Sequence, residues 1–189
     1  GDTLEARELR DKLPYSVWKA QGFIHAPAGE SINYRHVAQT LAEYCNRYKV
    51  ALCAYDRFAF KRFEEDTDSL GIKAEFAEHP QGGLKRGKIT ESMERAAEAS
   101  KKEPEGLWMP GSLRLLEDAM LEGRIRIRRS PVLISAMMSA VIEEDKWNNR
   151  WLAKKRSLNK IDAAVALCMA FGAAHVGVAP QRKFQLFFV

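Results

Sequence analysis

Two carboxylates stand where the patterning of the chain would place chemistry. Asp56 closes the apolar run Val50-Ala51-Leu52-Cys53-Ala54-Tyr55. Such a run reads as a strand buried on both faces, and in open α/β sheets ligands bind beyond the carboxyl ends of those strands. An acid there serves a metal or a substrate, or else it caps the helix that follows at Arg57-Phe58. Asp162 lies in the first turn of a strongly apolar helix expected from Lys160 to about Ala174, with Asn159 as its N-cap. The helix dipole favours a carboxylate at that end, so a purely structural role competes with a functional one. The setting argues for function. Ile161 and Ala163–Phe171 are apolar enough to draw the helix into the core, and the basic arm Lys154-Lys155-Arg156 directly precedes the acid.

Other constellations fall short. Gly82-Gly83-Leu84-Lys85-Arg86-Gly87-Lys88 has the G-x4-G-K spacing of a phosphate-binding loop, but Ile89 stands where the Mg²⁺-binding Ser or Thr belongs. His25, His36, His79 and His175 show no zinc-ligand spacing. Cys45, Cys53 and Cys168 sit in apolar runs without a C-x-x-C pair, as in a reducing compartment with no disulfide framework. Trp147 and Trp151 are expected to staple a hairpin, with stacking on bases as the alternative.

Charge is unevenly spread. The 189 residues carry 30 Lys and Arg against 25 Asp and Glu, a net of +5. Residues 124–160 hold ten of those cations and only three acids, Glu143, Glu144 and Asp145, which makes the segment +7 and leaves −2 for the rest. A basic stretch on a near-neutral body suits a polyanion, most often nucleic acid, or else is a solvated face. At 46% apolar and 29% charged the composition is that of one ordinary folded domain. No stretch approaches the ~20 apolar residues of a membrane span, and the polar start carries no signal peptide.

These residues need elements to hold them. Tyr34, Val37, Ala38, Leu41, Tyr44, Cys45 and Tyr48 repeat at helical spacing behind a Ser31 cap. A helix over 57–70 ends at Gly71, and Ile72–Glu78 reads as a second strand, so the order suggests parallel crossovers. A solvated helix near 89–102 precedes one that Ser112 caps and Gly123 ends. Arg124-Ile125-Arg126-Ile127-Arg128 alternates as a strand does, with isoleucines on one face and arginines on the other. Ser130-Pro131 opens a short helix to Ser139. Ala140–Asp145 and Arg150–Arg156 pair as a hairpin turning near Asn148-Asn149. The apolar tail Phe184–Val189 suits an edge strand or an exposed sticky end.

Several segments in this order resemble one family. Asp2-Thr3-Leu4-Glu5 through Arg10-Asp11, then Pro14-Tyr15, Trp18 and Gly22, looks like the opening of the nuclease domain of tailed-phage terminase large subunits. Pro27–Tyr34 resembles its glycine loop and next helix. Tyr55-Asp56-Arg57 resembles its second acidic strand end. Met109-Pro110, Leu116-Glu117, Glu122–Ile125 and Pro131-Val132-Leu133 are similar to its later helix-to-strand segment, and Lys160–Leu167 to its final acidic helix. The resemblance runs from residue 2 to about 174. It treats 84–107 as an insertion and 175–189 as a tail of one C-terminal nuclease domain spanning 1–189.

The resemblance implies an α/β, ribonuclease H-like mixed sheet flanked by helices, with a β-hairpin before the last core helix. It implies a two-metal endonuclease that cuts concatemeric double-stranded DNA during genome packaging. Asp56 and Asp162 would be two of three acidic ligands to Mg²⁺ or Mn²⁺, and Lys154, Lys155, Arg156 and Lys160 would hold phosphates. The third acid is expected on a strand preceding Gly1, so the first strand or strands would be missing and this piece would cleave weakly or not at all. The ATPase domain of the same polypeptide, the portal protein and the small terminase subunit are the implied partners, in the host bacterial cytoplasm. Two alternatives share the residues: another ribonuclease H-like nuclease or transposase, and a non-catalytic DNA-binding or assembly module of the packaging motor.

Overall fold

A computed structural model describes residues 3–27, 33–58, 60–83 and 85–176. The chain opens with α1 (Leu4–Asp11), capped by the Thr3 hydroxyl accepting from the Ala6 amide at 3.2 Å, and α2 (Tyr15–Ala20). The helix α3 (Tyr34–Arg47) follows the expected stripe, but its cap is Asn33, whose side chain accepts from the Arg35 amide. The proposed Ser31 cap lies outside the described residues.

The strands β1 (Leu52–Tyr55) and β2 (Glu75–Glu78) pair in parallel, Leu52 opposite Glu75 and Tyr55 opposite Glu78, around the crossover helix α4 (Phe60–Ser69). This is the expected crossover. Gly71 takes a left-handed φ of +65° where α4 ends, a conformation that glycine adopts without strain. Aromatic packing fixes α4 on the sheet: Phe60 stacks on Tyr55 with ring centroids 3.5 Å apart and tilts against Phe76 at 5.4 Å.

The core is built around the last helix, α8 (Asp162–Val176), which packs on α6 (Met109–Leu121), α7 (Pro131–Ser139) and β1. Leu113, Leu116, Leu133, Ala136, Leu152, Ile161, Val165, Leu167 and Phe171 share one buried cluster. α8 is apolar nearly all round because it is covered nearly all round. Ala77, Met93, Leu107 and Ala173 form a second cluster, so α5 (Glu91–Ala99) is anchored by Met93 and is not wholly solvated as expected.

Other expectations need adjusting. Ser112 does not cap α6; it is buried inside it, and Trp108 holds the cap position. Ile125 and Ile127 do face the core and Arg124, Arg126 and Arg128 do face solvent, but only Ile127 makes a bridge, so the segment is extended chain and not a full strand. Ser130 caps α7 as expected, accepting from the Leu133 amide. The hairpin forms from β3 (Ile142–Glu144) and β4 (Arg150–Leu152), antiparallel and shorter than expected. Asp145 ties its turn by accepting from the amides of Trp147 and Asn149. Trp151 packs against the core, whereas Trp147 is 64% exposed beneath the Lys146 ammonium and staples nothing. Among the described residues the strands form two separate two-stranded sheets.

Candidate nuclease site

Asp162 is the first residue of α8, with its side chain 70% exposed. Burial of the helix behind it fixes the acid in place, since Ile161, Ala164 and Val165 are each at most 5% exposed. Its carboxylate is not tied to helix amides. Its partner is the Lys154 ammonium at 2.9 Å, from the arm that leaves β4. The arm is turned toward the helix by bonds from the amides of Arg156 and Ser157 to the Ala153 carbonyl.

A cleft of about 350 Å³ opens beside this pair, lined by Arg10, Asp11, Lys154, Lys160 and Asp162 with the intervening loop. Asp11 is a second acid in the cleft, which the sequence reading did not single out. It accepts from Arg10 Nε at 2.8 Å and from the Tyr15 hydroxyl at 2.9 Å. The Arg10 hydrogen bond, with smaller help from Tyr15 and Lys160, holds its carboxyl below the usual range. Hydrogen bonding to Asp11 adds to burial in pushing the Tyr15 phenol up to about 12. One signal pointed to Asp11: it ends α1, and the helix dipole disfavours an acid at that end. Asn159 does not cap α8. Its side chain meets the Ser139 hydroxyl at 3.4 Å and joins α7 to the loop before α8.

Asp56 immediately follows β1 and is exposed. Its carboxylate accepts from the Phe58 amide at 3.4 Å, a long bond that turns the chain ahead of α4. Its charge also acts on His79, whose amide donates to the Tyr55 carbonyl at 2.7 Å. His79 is fully buried, with Nε2 2.8 Å from the Ser112 hydroxyl and Nδ1 unpartnered. Burial lowers its pKa below the usual imidazole value. The chain beyond β2 then runs down α8 from Gly172, beneath His79, to Met169, which meets Gln81 at 4.0 Å, and on to Trp151, against which Gly83 packs. The chain that leaves β2 thus heads along α8 toward the end where Asp162 stands.

The structure brings Asp162, Lys154 and Lys160 together. It gives Asp56 its own neighbours, and no contact joins the two acids. Lys155 and Lys160 are exposed, while Arg156 is bound to Glu143 at 3.2 Å. Carboxylate oxygens are the donors that hard dications such as Mg²⁺ and Mn²⁺ take, so Asp56 and Asp162 fit them in kind. Among the described residues no three His, Cys, Asp or Glu side chains gather closely enough to hold one ion.

The glycines of the G-x4-G-K stretch have a packing role. The Gly87 amide donates to the Leu107 carbonyl at 2.7 Å, and a side chain at Gly87 would strike the Glu78 carbonyl. Gly106 crosses Gly87 equally closely. This amide is therefore spent within the fold, not offered to a phosphate. Among the described residues no helix is long and apolar enough to cross a membrane.

Comparison with known proteins bears on the family and the fold. Residues 101–177 match the family described as terminase large subunit, endonuclease domain. The terminase large subunit of Enterobacteria phage HK97 is 30% identical over 179 residues, which is 95% of this chain and 31% of that protein. The crystal structure of the HK97 large terminase matches with a TM-score of 0.73 at 30% identity, over 90% of this chain and 31% of that one. The chain thus spans about a third of the length of the relative it matches.

Proposed function

We propose that this chain, which carries the ribonuclease H-like nuclease domain of the terminase large-subunit family, hydrolyses phosphodiester bonds of duplex viral DNA during genome packaging. The observation that carries the reading is Asp162. It is an exposed acid fixed by a buried helix, at the rim of a cleft that also presents Lys154 and Lys160. Among the described residues its one partner is Lys154, also on the cleft, so its carboxylate is turned to the cleft and not to the helix amides.

In this reading Asp56 and Asp162 hold divalent cations, Mg²⁺ or Mn²⁺. When bound, two such ions supply an activated water and stabilise the leaving oxygen. The rest is the work of the chain. Burial of α8 keeps Asp162 in one position before substrate arrives, which lowers the reorganisation needed at reaction. Lys154 offsets its negative charge. Lys155 and Lys160 meet the phosphates flanking the cut, and Arg156, held by Glu143, lines their approach. The partners of the reading are double-stranded DNA, the ATPase domain of the same polypeptide, the portal protein and the small terminase subunit, and its setting is the host bacterial cytoplasm.

The test is cleavage of supercoiled plasmid by the full-length polypeptide in Mg²⁺ or Mn²⁺. Linear product that disappears with EDTA and in Asp162→Asn supports the reading. Intact plasmid under all conditions, or cutting indifferent to EDTA, overturns it.

A further inference from the structure

The cations of the basic segment are not equally available. Lys154 is bound to Asp162, Arg156 to Glu143, Arg150 to Glu117 and Arg124 to Glu122. Among the described residues Arg126, Arg128 and Arg129 form no ion pair, and all three are exposed. Three uncompensated guanidinium groups therefore fall within four consecutive residues, apart from Lys154, Lys155, Arg156 and Lys160 in the same basic segment.

Their placement is fixed from behind. Ile125 and Ile127 pack on the main core cluster, which leaves Arg126 and Arg128 on the outer face of extended chain. Extended backbone repeats every two residues at about 6.6 Å. Neighbouring phosphates of one DNA strand are also about 6–7 Å apart, because each nucleotide rotates around the axis as well as rising about 3.4 Å along it. Arg126 and Arg128 can thus meet neighbouring phosphates of one strand without distorting either partner, and the planar guanidinium suits phosphate oxygens in pairs.

A surface path also leads from these arginines toward the candidate site. Arg129 is followed by Ser130 and the nine residues of α7, a rise of about 13 Å. At the far end Ser139 meets Asn159, three residues before Asp162. A cleft along α7 has Arg129 at one end and Ser139 at the other, so the surface between them is open.

We propose that Arg126, Arg128 and Arg129 form a phosphate-binding track for duplex DNA, engaging the backbone at the far end of the α7 cleft from Ser139. The proposal takes its ligand from the nuclease reading, and its test is separable from it. In the full-length polypeptide, binding of a 30-base-pair duplex is measured by fluorescence anisotropy from 50 to 300 mM salt, without divalent metal. Each phosphate contact contributes about 0.9 to the slope of log affinity against log salt. The Arg126→Gln, Arg128→Gln, Arg129→Gln triple variant is expected to lose close to three from that slope and at least tenfold in affinity at 150 mM salt. Lys154→Gln with Arg156→Gln is expected to lose less, since those cations already face carboxylates. An unchanged slope in the arginine variant overturns the track. Asp162→Asn separates the two readings. Normal DNA binding with cleavage lost leaves the nuclease reading standing whatever the arginines do. Loss of binding in the arginine variant of a polypeptide that never cleaves keeps the track and sinks the nuclease.

Discussion

Gly172→Ala tests the packing that carries the candidate site. Gly172 lies in α8 directly beneath Ser112 and His79. In an open helix this change stabilises by about 1 kcal/mol. Here the new methyl overlaps the Ser112 hydroxyl and stands 2.7 Å from its Cβ. Ordinary carbon contacts need about 3.5–4.0 Å, so the serine must retreat by about 1 Å. Overpacking of this kind costs about 1–3 kcal/mol. The retreat also breaks the 2.8 Å hydrogen bond between Ser112 and His79. His79 Nδ1 has no partner, so the ring would be buried with neither nitrogen satisfied, a further penalty of about 1–3 kcal/mol. After the helix gain, the net loss is about 1–5 kcal/mol. At about 2–4 °C per kcal/mol for a chain of this size, the middle of that range lowers Tm by about 6–12 °C. Thermal unfolding followed by circular dichroism reads it directly. Ser112→Ala alone should cost only the hydrogen-bond part. Adding Gly172→Ala to Ser112→Gly should cost far less than adding it to the native sequence. A Gly172→Ala variant that melts higher than the parent would refute the reasoning.

Three further outcomes follow from the same structure. Because burial lowers the His79 pKa below the usual ~6.5, the unfolded chain takes up a proton that the folded one refuses; the associated stability is complete above about pH 6.5 and declines as pH falls toward the folded value. His79→Gln should remove that part of the acid sensitivity, read as the shift in urea midpoint between pH 7.5 and 5.5; an unaltered shift argues against a neutral buried ring. Burial pushes the Cys53 and Cys168 thiols up to about 11 and 12, so iodoacetamide at pH 8 should modify Cys45 first, and mass spectrometry of a partial reaction should find little label on the other two. Gly87→Ala should destabilise by about 1–3 kcal/mol through its clash with the Glu78 carbonyl, while calorimetry finds no saturable ATP binding by the parent chain; tight ATP binding lost in Lys88→Ala would reverse that reading.

What could be read from the sequence was set by local pattern. The apolar run ending at Tyr55, the left-handed glycines at 71 and 123, the Ser130-Pro131 cap and the near-continuous apolar stretch after Asp162 each fix their element with little help from elsewhere. Ser112 misled because a serine before an apolar run usually caps; its hydroxyl is instead used by His79, 33 residues earlier. Trp147 misled because hairpin pairing brings only Trp151 to the core. The cleft was only half legible. Asp162 and its lysines are neighbours in sequence, but Asp11 reaches the same cleft from α1, a contact that only the tertiary fold creates. Charge availability was not legible either, since counting cations does not reveal which of them a carboxylate already holds.

The central claim is that Asp56 and Asp162 serve one metal centre. It is tested most directly by soaking crystals of the full-length polypeptide in Mn²⁺ and measuring anomalous scattering. The account predicts Mn²⁺ peaks within coordination distance, about 2.0–2.4 Å, of both carboxylates, with the Lys154 ammonium displaced from Asp162. Peaks that touch neither acid, or Asp162 still bound to Lys154 at saturating Mn²⁺, would contradict it.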